Sequence, residues 1–464
     1  MSADLLIQNG MVILPGMGRR ELNIVIKEGK VSALLRKKET INAHRVLDAK
    51  GKLVFPGAID PHTHLTMGPG LEGYGSETKS ATLGGITSVL SYVLEGGDLD
   101  EVLQKEIAFG KEKASCDFGL SPAVVTDAQL EMLPHLVSHF GVSSFKFFMV
   151  FRGEEGAYLG IPGNDDGFLF KLLRRTATLP GVIPCVHAEN IEIVWLLRKE
   201  VQSGGSGGLT NWEQSRPDFA EAEATARVLY FAEKAGAPIY VVHITCEESL
   251  DMVRQAKNRR PGWVFAETCP HYLTLTSDNA PSPEGKVNPP LRYQKDIESL
   301  WEGIADNTID VIGSDHVPRE LASKKGGIWK ASAGFPGVAT LFPIFLTEGT
   351  RRGISLDTLL PKITLNPAKI FGLGPAKGSL LPGSDADAVI VDPNKEFPLR
   401  AETLASHADY TPYEGRLVRF RPTHTILRGH VMVEEGVFMG EPGTGTYLKR
   451  RPSPSFLLKV YRDA

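Results

Sequence analysis

Two kinds of hydrophobic pattern divide the chain. Residues 4–55 hold short β-rich runs with turns between them: LNIVIKEGKVSALL pairs two runs across Glu28-Gly29, and LDAKGKLVF repeats the arrangement at Lys50-Gly51. A residue followed by glycine between β-branched runs signals a hairpin, because a tight turn needs positive φ. The pattern returns near the other end, in DADAVIVDP (385–393) and HTILRGHVMVEEGVFM (424–439), with turns at Arg428-Gly429 and Glu435-Gly436. Two β-rich ends around a different middle predict one small β-sandwich assembled from residues 1–55 and 373–440.

The middle has another rhythm. Eight apolar runs recur: LVFPGAID (53–60), ITSVLSYV (86–93), FGLSPAVV (118–125), SSFKFFMV (143–150), VIPCVHAE (182–189), PIYVVHIT (238–245), WVFAETCP (263–270) and DVIGSDHV (310–317). Helix-like segments such as DEVLQKEIAFGKEKA and EATARVLYFAEKAG separate them. Unbroken apolar strands alternating with helices imply a parallel sheet buried on both faces. Eight of them predict an α/β fold, a (β/α)8 barrel over residues 56–372. The longer gaps after the fifth and seventh runs, containing SGGSGGLTNWEQSRP and SDNAPSPEGKVNPPLR, read as loop insertions. Residues 441–464 form a Pro/Gly-rich basic tail.

Composition narrows the class. The 464 residues carry 51 Lys+Arg against 55 Asp+Glu, a net charge of −4, and the signs are interspersed. That excludes the basic face of a dedicated nucleic-acid binder. No run of about 18 apolar residues reads as a membrane span. The opening MSADLLIQNG, with its early acidic residue and turn, does not read as a secretory signal. Cys116, Cys185, Cys246 and Cys269 lie far apart without a CxxC pair. Reduced thiols in a cytoplasmic enzyme are the expectation.

The chemistry collects at the ends of the apolar runs. The first leads into Asp60-Pro61-His62-Thr63-His64, the fourth contains Lys146, and the fifth ends at His187-Ala188-Glu189-Asn190. The sixth carries His243 and the eighth Asp315-His316. Catalytic groups of a barrel come from the C-terminal ends of its strands, so these side chains should meet at one mouth. Strand alternation puts His62 and His64 on one face, as a shared metal ion requires. Imidazole with carboxylate suits zinc and its neighbours. Each residue alone has a plainer reading, as a hydrogen-bonded histidine, a snorkelling lysine or a helix-capping aspartate. Jointly, at five strand ends, they point to a metal site.

DPHTH, the strand-four lysine, HAEN, the strand-six histidine and GSDH resemble the cyclic amidohydrolases: hydantoinase/dihydropyrimidinase, allantoinase and dihydroorotase. The likeness extends over nearly the whole chain, through KVNPPLR (286–292), GFPGVATLFPIFLTEG (334–349), NPAKIFGL (366–373), KGSLLPGSDADAVIVDP (377–393) and YTPYEG (410–415). The hydantoinase/allantoinase branch is the nearest. The resemblance implies two divalent ions, zinc by preference. His62, His64 and Asp315 would hold one, His187 and His243 the other, and Lys146, carboxylated by CO2, would bridge them. It further implies that a hydroxide between the ions attacks a cyclic amide carbonyl, with Asp315 as general base and then acid. Allantoinase, or hydrolysis of another imide or ureide, is the alternative activity, and an inactive dihydropyrimidinase-like scaffold is the alternative class. The resemblance also implies a homodimer or homotetramer, with the 441–464 tail against a neighbouring subunit.

Departures from the family pattern bear on the substrate. Dihydroorotases carry an arginine two residues after HxH; here it is Thr66, although Asn288 resembles that branch's substrate-contacting asparagine. Hydantoinases place a tyrosine five residues after the bridging lysine, where its hydroxyl assists the oxyanion. This chain has Phe151, which cannot donate; Tyr158 and Arg152 are nearby replacements. Ala333, beside Gly334, stands where hydantoinases usually have asparagine. With Asn288, Phe151, Ala333 and Gly334 as the substrate-facing positions, the expected substrate is a cyclic amide or imide outside the standard pyrimidine and hydantoin set.

Overall fold

The computed structural model describes residues 2–39, 41–158, 163, 165–205 and 207–451. Eight strands make the central layer: β1 (Ala58–Thr63), β2 (Ile86–Val93), β3 (Asp117–Pro122), β4 (Ser144–Phe148), β5 (Ile183–His187), β6 (Ile239–Val241), β7 (Val264–Thr268) and β8 (Val311–Ile312). β1 to β3 and β4 to β8 pair in parallel, in chain order. Parallel bridges Ala123–Lys146 and Thr63–His316 close the two remaining seams. All positions of these strands are buried, as strands covered by helices outside and packed side chains inside must be. The helices expected between them form at Leu99–Lys113 and Asp218–Ala235.

Both chain ends contribute to one continuous nine-stranded mixed sheet. Its halves join where Leu53–Pro56 pairs antiparallel with Ala388–Val391. Ile7, Val12, Ile24 and Val54 from one end pack with Leu380, Ala388, Ile390 and Ile426 from the other in a core separate from the barrel's. The hairpin at Glu28-Gly29 forms, with φ of 51° and 73°, and so does that at Arg428-Gly429, with 44° and 79°. Lys50-Gly51 differs from expectation. Ala43–Asp48 and Leu53–Pro56 do not pair with each other; both run parallel to Ala3–Leu14 along the same edge. A register shift in that first strand near Asn9 (φ 62°) leaves room for the connection to step sideways instead of turning back. The run 53–60 likewise divides at Gly57, its first half in the sheet and its second in the barrel. A Cβ at Gly57 would lie 2.2 Å from the Thr87 hydroxyl, so only glycine fits the crossing.

The tail is described to residue 451, and its described part lies on its own barrel. Phe118 and Leu448 exchange backbone bonds with Thr446 and Phe118, and buried Arg450 donates to Ser144 Oγ at 2.6 Å and to the Leu120 carbonyl. Residues 452–464 lie outside the described residues. Among the described residues no helix is long and apolar enough to cross a membrane.

Candidate metal centre

One cavity of about 340 Å³ opens at the C-terminal ends of the strands, and His62, His64, Lys146, His187, His243 and Asp315 all line it. Asn288, Phe151, Ala333 and Gly334 line it too. The ten positions singled out in the sequence thus share a single space.

Three of them converge closely. Nε2 of His62 and Nε2 of His64 lie 3.0 and 3.2 Å from the same Asp315 oxygen, Oδ1, and the group is compact enough to hold one cation. Across from it, Nε2 of His243 lies 2.9 Å from Nδ1 of His187. The stacked rings of His62 and His243, 5.5 Å apart, join the two groups. Lys146 is fully buried, and its Nζ lies 4.3 Å from the Tyr92 ring centre. That nitrogen and His64 Nδ1 have no hydrogen-bond partner among the described residues. Buried polar atoms are nearly always satisfied, so this set fits a missing ligand.

The electrostatics have the same cause. Burial lowers Lys146 to about 8 and His64 to about 4, and holds His187 and His243 below the usual imidazole range. Neutral imidazoles are what a metal binds. Burial opposes ionisation of Asp315 as well, but His62 and His64 outweigh it and keep the carboxylate charged. On His62, burial opposes the proton while Glu267 and Asp315 favour it, with a net upward shift.

Backbone strain is concentrated here. His243 and Asp315 have φ of 37° and 49°, in a region that residues with a Cβ rarely occupy. Such conformations cost about 1–3 kcal/mol and persist where surrounding structure enforces them. Both residues line the one cavity.

Two supporting carboxylates, Glu267 and Glu189, were not assigned a role from the sequence. Glu267 on β7 accepts from His62 Nδ1 at 2.6 Å, from the Tyr240 hydroxyl at 2.8 Å and from the His243 amide at 3.2 Å. A carboxylate within the apolar run WVFAETCP was the available signal, the same one that exposed Lys146. Glu189 holds His187 Nε2 at 2.6 Å and is itself clasped by Arg216. Carboxylates behind ligand histidines fix the tautomer and the ring orientation. Asp60 accepts from the amides of His62 and Ser314, tying β1 to the segment after β8. His316 hydrogen-bonds Glu77 at 3.0 Å and does not line the cavity.

The positions expected to face a substrate are held by contacts of their own. Asn288 Oδ1 accepts from the Trp212 indole at 3.2 Å, and the Phe151 ring packs 4.6 Å from Phe148 and 6.3 Å from His187. Gly334 has φ of 92°, and a Cβ there would meet Val317 at 2.7 Å, so the loop after Ala333 needs glycine. Of the two replacement donors considered for Phe151, Arg152 turns to Glu192 at 3.3 Å and does not line the cavity. The Tyr158 side chain lies outside what is described.

Comparison with known proteins agrees with this geometry. A D-hydantoinase from Ralstonia pickettii is 35% identical over 97% of this chain and 99% of its own length. The chain belongs to the cyclic amidohydrolase family. The profile described as "Amidohydrolase family" matches residues 206–432. An L-hydantoinase from Paenarthrobacter aurescens is 32% identical, covering 97% of this chain and 98% of its own. Among solved structures, a dihydropyrimidinase from Brevibacillus agri superposes with a TM-score of 0.89 at 31% identity, covering 97% of this chain and 99% of that one. The cyclic amidohydrolase barrel and its divalent-metal site are therefore family features of this molecule.

Proposed function

We propose that the protein hydrolyses the C–N bond of a cyclic amide with two divalent metal ions, zinc by preference, and that its best ring substrates differ from unsubstituted hydantoin and dihydrouracil. The observation that carries this reading is Lys146: a fully buried amine, without a hydrogen-bond partner among the described residues, among four imidazoles and a carboxylate. A free ammonium repels a cation. Carboxylated by CO2, the same side chain offers two anionic oxygens to the site. The reaction needs the neutral amine, which burial makes accessible.

His62, His64 and Asp315 would hold one ion, His187 and His243 the other, with the carboxylated Lys146 between. When bound, the ions acidify a water molecule and polarise the amide carbonyl. Asp315 takes the proton of that water and returns it to the ring nitrogen as the C–N bond breaks. Glu267 and Glu189 keep the imidazole rings oriented. Phe151 offers no proton to the carbonyl oxygen, so hydantoin-type rings lose a stabilising contact worth about 2.7–4 kcal/mol.

Metal analysis of the purified protein, with turnover of a panel of cyclic amides, imides and ureides, tests the reading. About two ions per chain and ring opening of at least one panel member are expected. A protein without stoichiometric metal and without turnover would be a scaffold. The 13C spectrum after exposure to labelled bicarbonate should contain a carbamate resonance that Lys146→Ala lacks.

A further inference from the structure

We propose that the end of the cavity beside Trp212 binds a carboxylate borne by the ring substrate, so that preferred substrates are cyclic amides with an anionic substituent. The inference rests on the ring-opening reading above and names its substrate class.

Trp212 lies in the insertion after β5, in the helix Leu209–Gln214, and its indole nitrogen is fixed by the Val287 carbonyl at 3.0 Å and Asn288 Oδ1 at 3.2 Å. Three cations surround its ring on the cavity wall: Lys286 Nζ at 3.9 Å from the centroid, and the Arg198 and Arg216 guanidinium carbons at 5.3 and 5.4 Å. Their charges are incompletely met. Arg216, 1% exposed, gives Nε and Nη2 to Glu189 at 2.9 and 2.6 Å, and its Nη1 has no partner among the described residues. Arg198 donates Nη1 to Glu155, and its Nε is likewise unpartnered. Lys286, 4% exposed, gives Nζ, among the described residues, to the carbonyls of Ile328 and Ala331, at 2.6 and 2.7 Å.

Among the described residues two carboxylates therefore answer three cations, and one of the two, Glu189, is shared with His187. Buried charge is costly without an opposite partner. Consistent with an excess of positive charge, burial first and then Arg198 and Arg216 push Lys286 down to about 7. An incoming carboxylate would restore the balance of charge beside Trp212, where all three cationic residues line the cavity. Glu189 also connects this corner to His187, which lines the same cavity. The cavity's volume is that of a small-ligand site, which matches a ring and a short substituent.

The test compares the carboxymethyl and carbamoylmethyl derivatives of hydantoin and of succinimide, pairs of nearly equal shape of which one member is anionic and the other neutral. For each, kcat/KM is measured where the ring opens, and Kd by calorimetry where it does not, on metal-loaded protein. The carboxylate member should be preferred at least tenfold. That ratio should fall towards one in Lys286→Met and in Arg198→Gln; the second variant matters because Lys286 also holds the 328–331 loop. A ratio of one or less in the unaltered protein, no detectable binding of the carboxylate member, or an unchanged ratio in both variants would overturn the proposal. Binding with the expected preference but no ring opened would leave it standing and remove the hydrolase reading instead. Ring opening without preference would do the reverse.

Discussion

Nδ1 of His187 faces Nε2 of His243 across 2.9 Å, while Glu189 holds the far nitrogen of His187 from behind. A carboxylate at Nε2 keeps the proton there, so Nδ1 presents a lone pair to the space that His243 also addresses. Two such nitrogens repel unless a proton or a cation lies between them. In the proposed reading, converting Lys146 to alanine removes the group that would bridge this pair and the His62–His64–Asp315 group. Turnover should fall to background and bound metal below two ions per chain; undiminished kcat in Lys146→Ala would remove the lysine from the mechanism.

Glu267 supports both groups at once, through His62 Nδ1 and the His243 backbone. Glu267→Gln retains the shape and loses the charge that orients His62. Metal affinity, measured by competition with a chelator, should weaken by about 10- to 100-fold. Unaltered affinity would reduce Glu267 to a packing role.

Asp315→Asn should fold normally by circular dichroism while kcat falls by about 10²–10⁴-fold, the usual worth of a positioned acid–base group. A variant with near-normal kcat would mean that the proton is handled elsewhere.

Phe151→Tyr restores a hydroxyl in the position from which hydantoinases are expected to use one. Hydantoin and dihydrouracil should be poor substrates of the unaltered enzyme, and the variant should raise their kcat by about 10²-fold or more. Rates above about 10⁴ M⁻¹s⁻¹ in the unaltered protein would contradict the argument.

Lys324 provides a pH test of the cavity loop. Its Nζ donates to the carbonyls of Lys286, Ser332 and Gly334, and burial, with Lys286 beside it, lowers it to about 7. The unfolded chain keeps the ordinary lysine value near 10.4 and binds more protons between those limits, so stability rises with pH there. The cost of charging Lys324 is fully present below about 7. Urea unfolding at pH 7.5 and 9.5 should show the native protein gaining on Lys324→Met by on the order of 1 kcal/mol per pH unit. A pH-independent difference would refute the shift.

The barrel was legible because its strands are buried on both faces, which writes continuous apolar runs into the sequence; Lys146 and the strand-end histidines were conspicuous against them. Lys50-Gly51 misled because local turn chemistry does not reveal which distant strand a segment will pair with, and here both segments chose Ala3–Leu14. The cation cluster around Trp212 could not be read in advance. Arg198, Arg216 and Lys286 come from different segments, and only the folded chain brings them to one ring.

The ladder between Leu53–Pro56 and Ala388–Val391 has a consequence for biosynthesis. Its second strand leaves the ribosome roughly 330 residues after the first, on the order of half a minute at ordinary elongation rates. Throughout that interval every barrel strand is made while Val54 and Phe55 wait with one edge unpaired. A nascent chain interrupted before residue 388 would display that edge as a template for association with other chains.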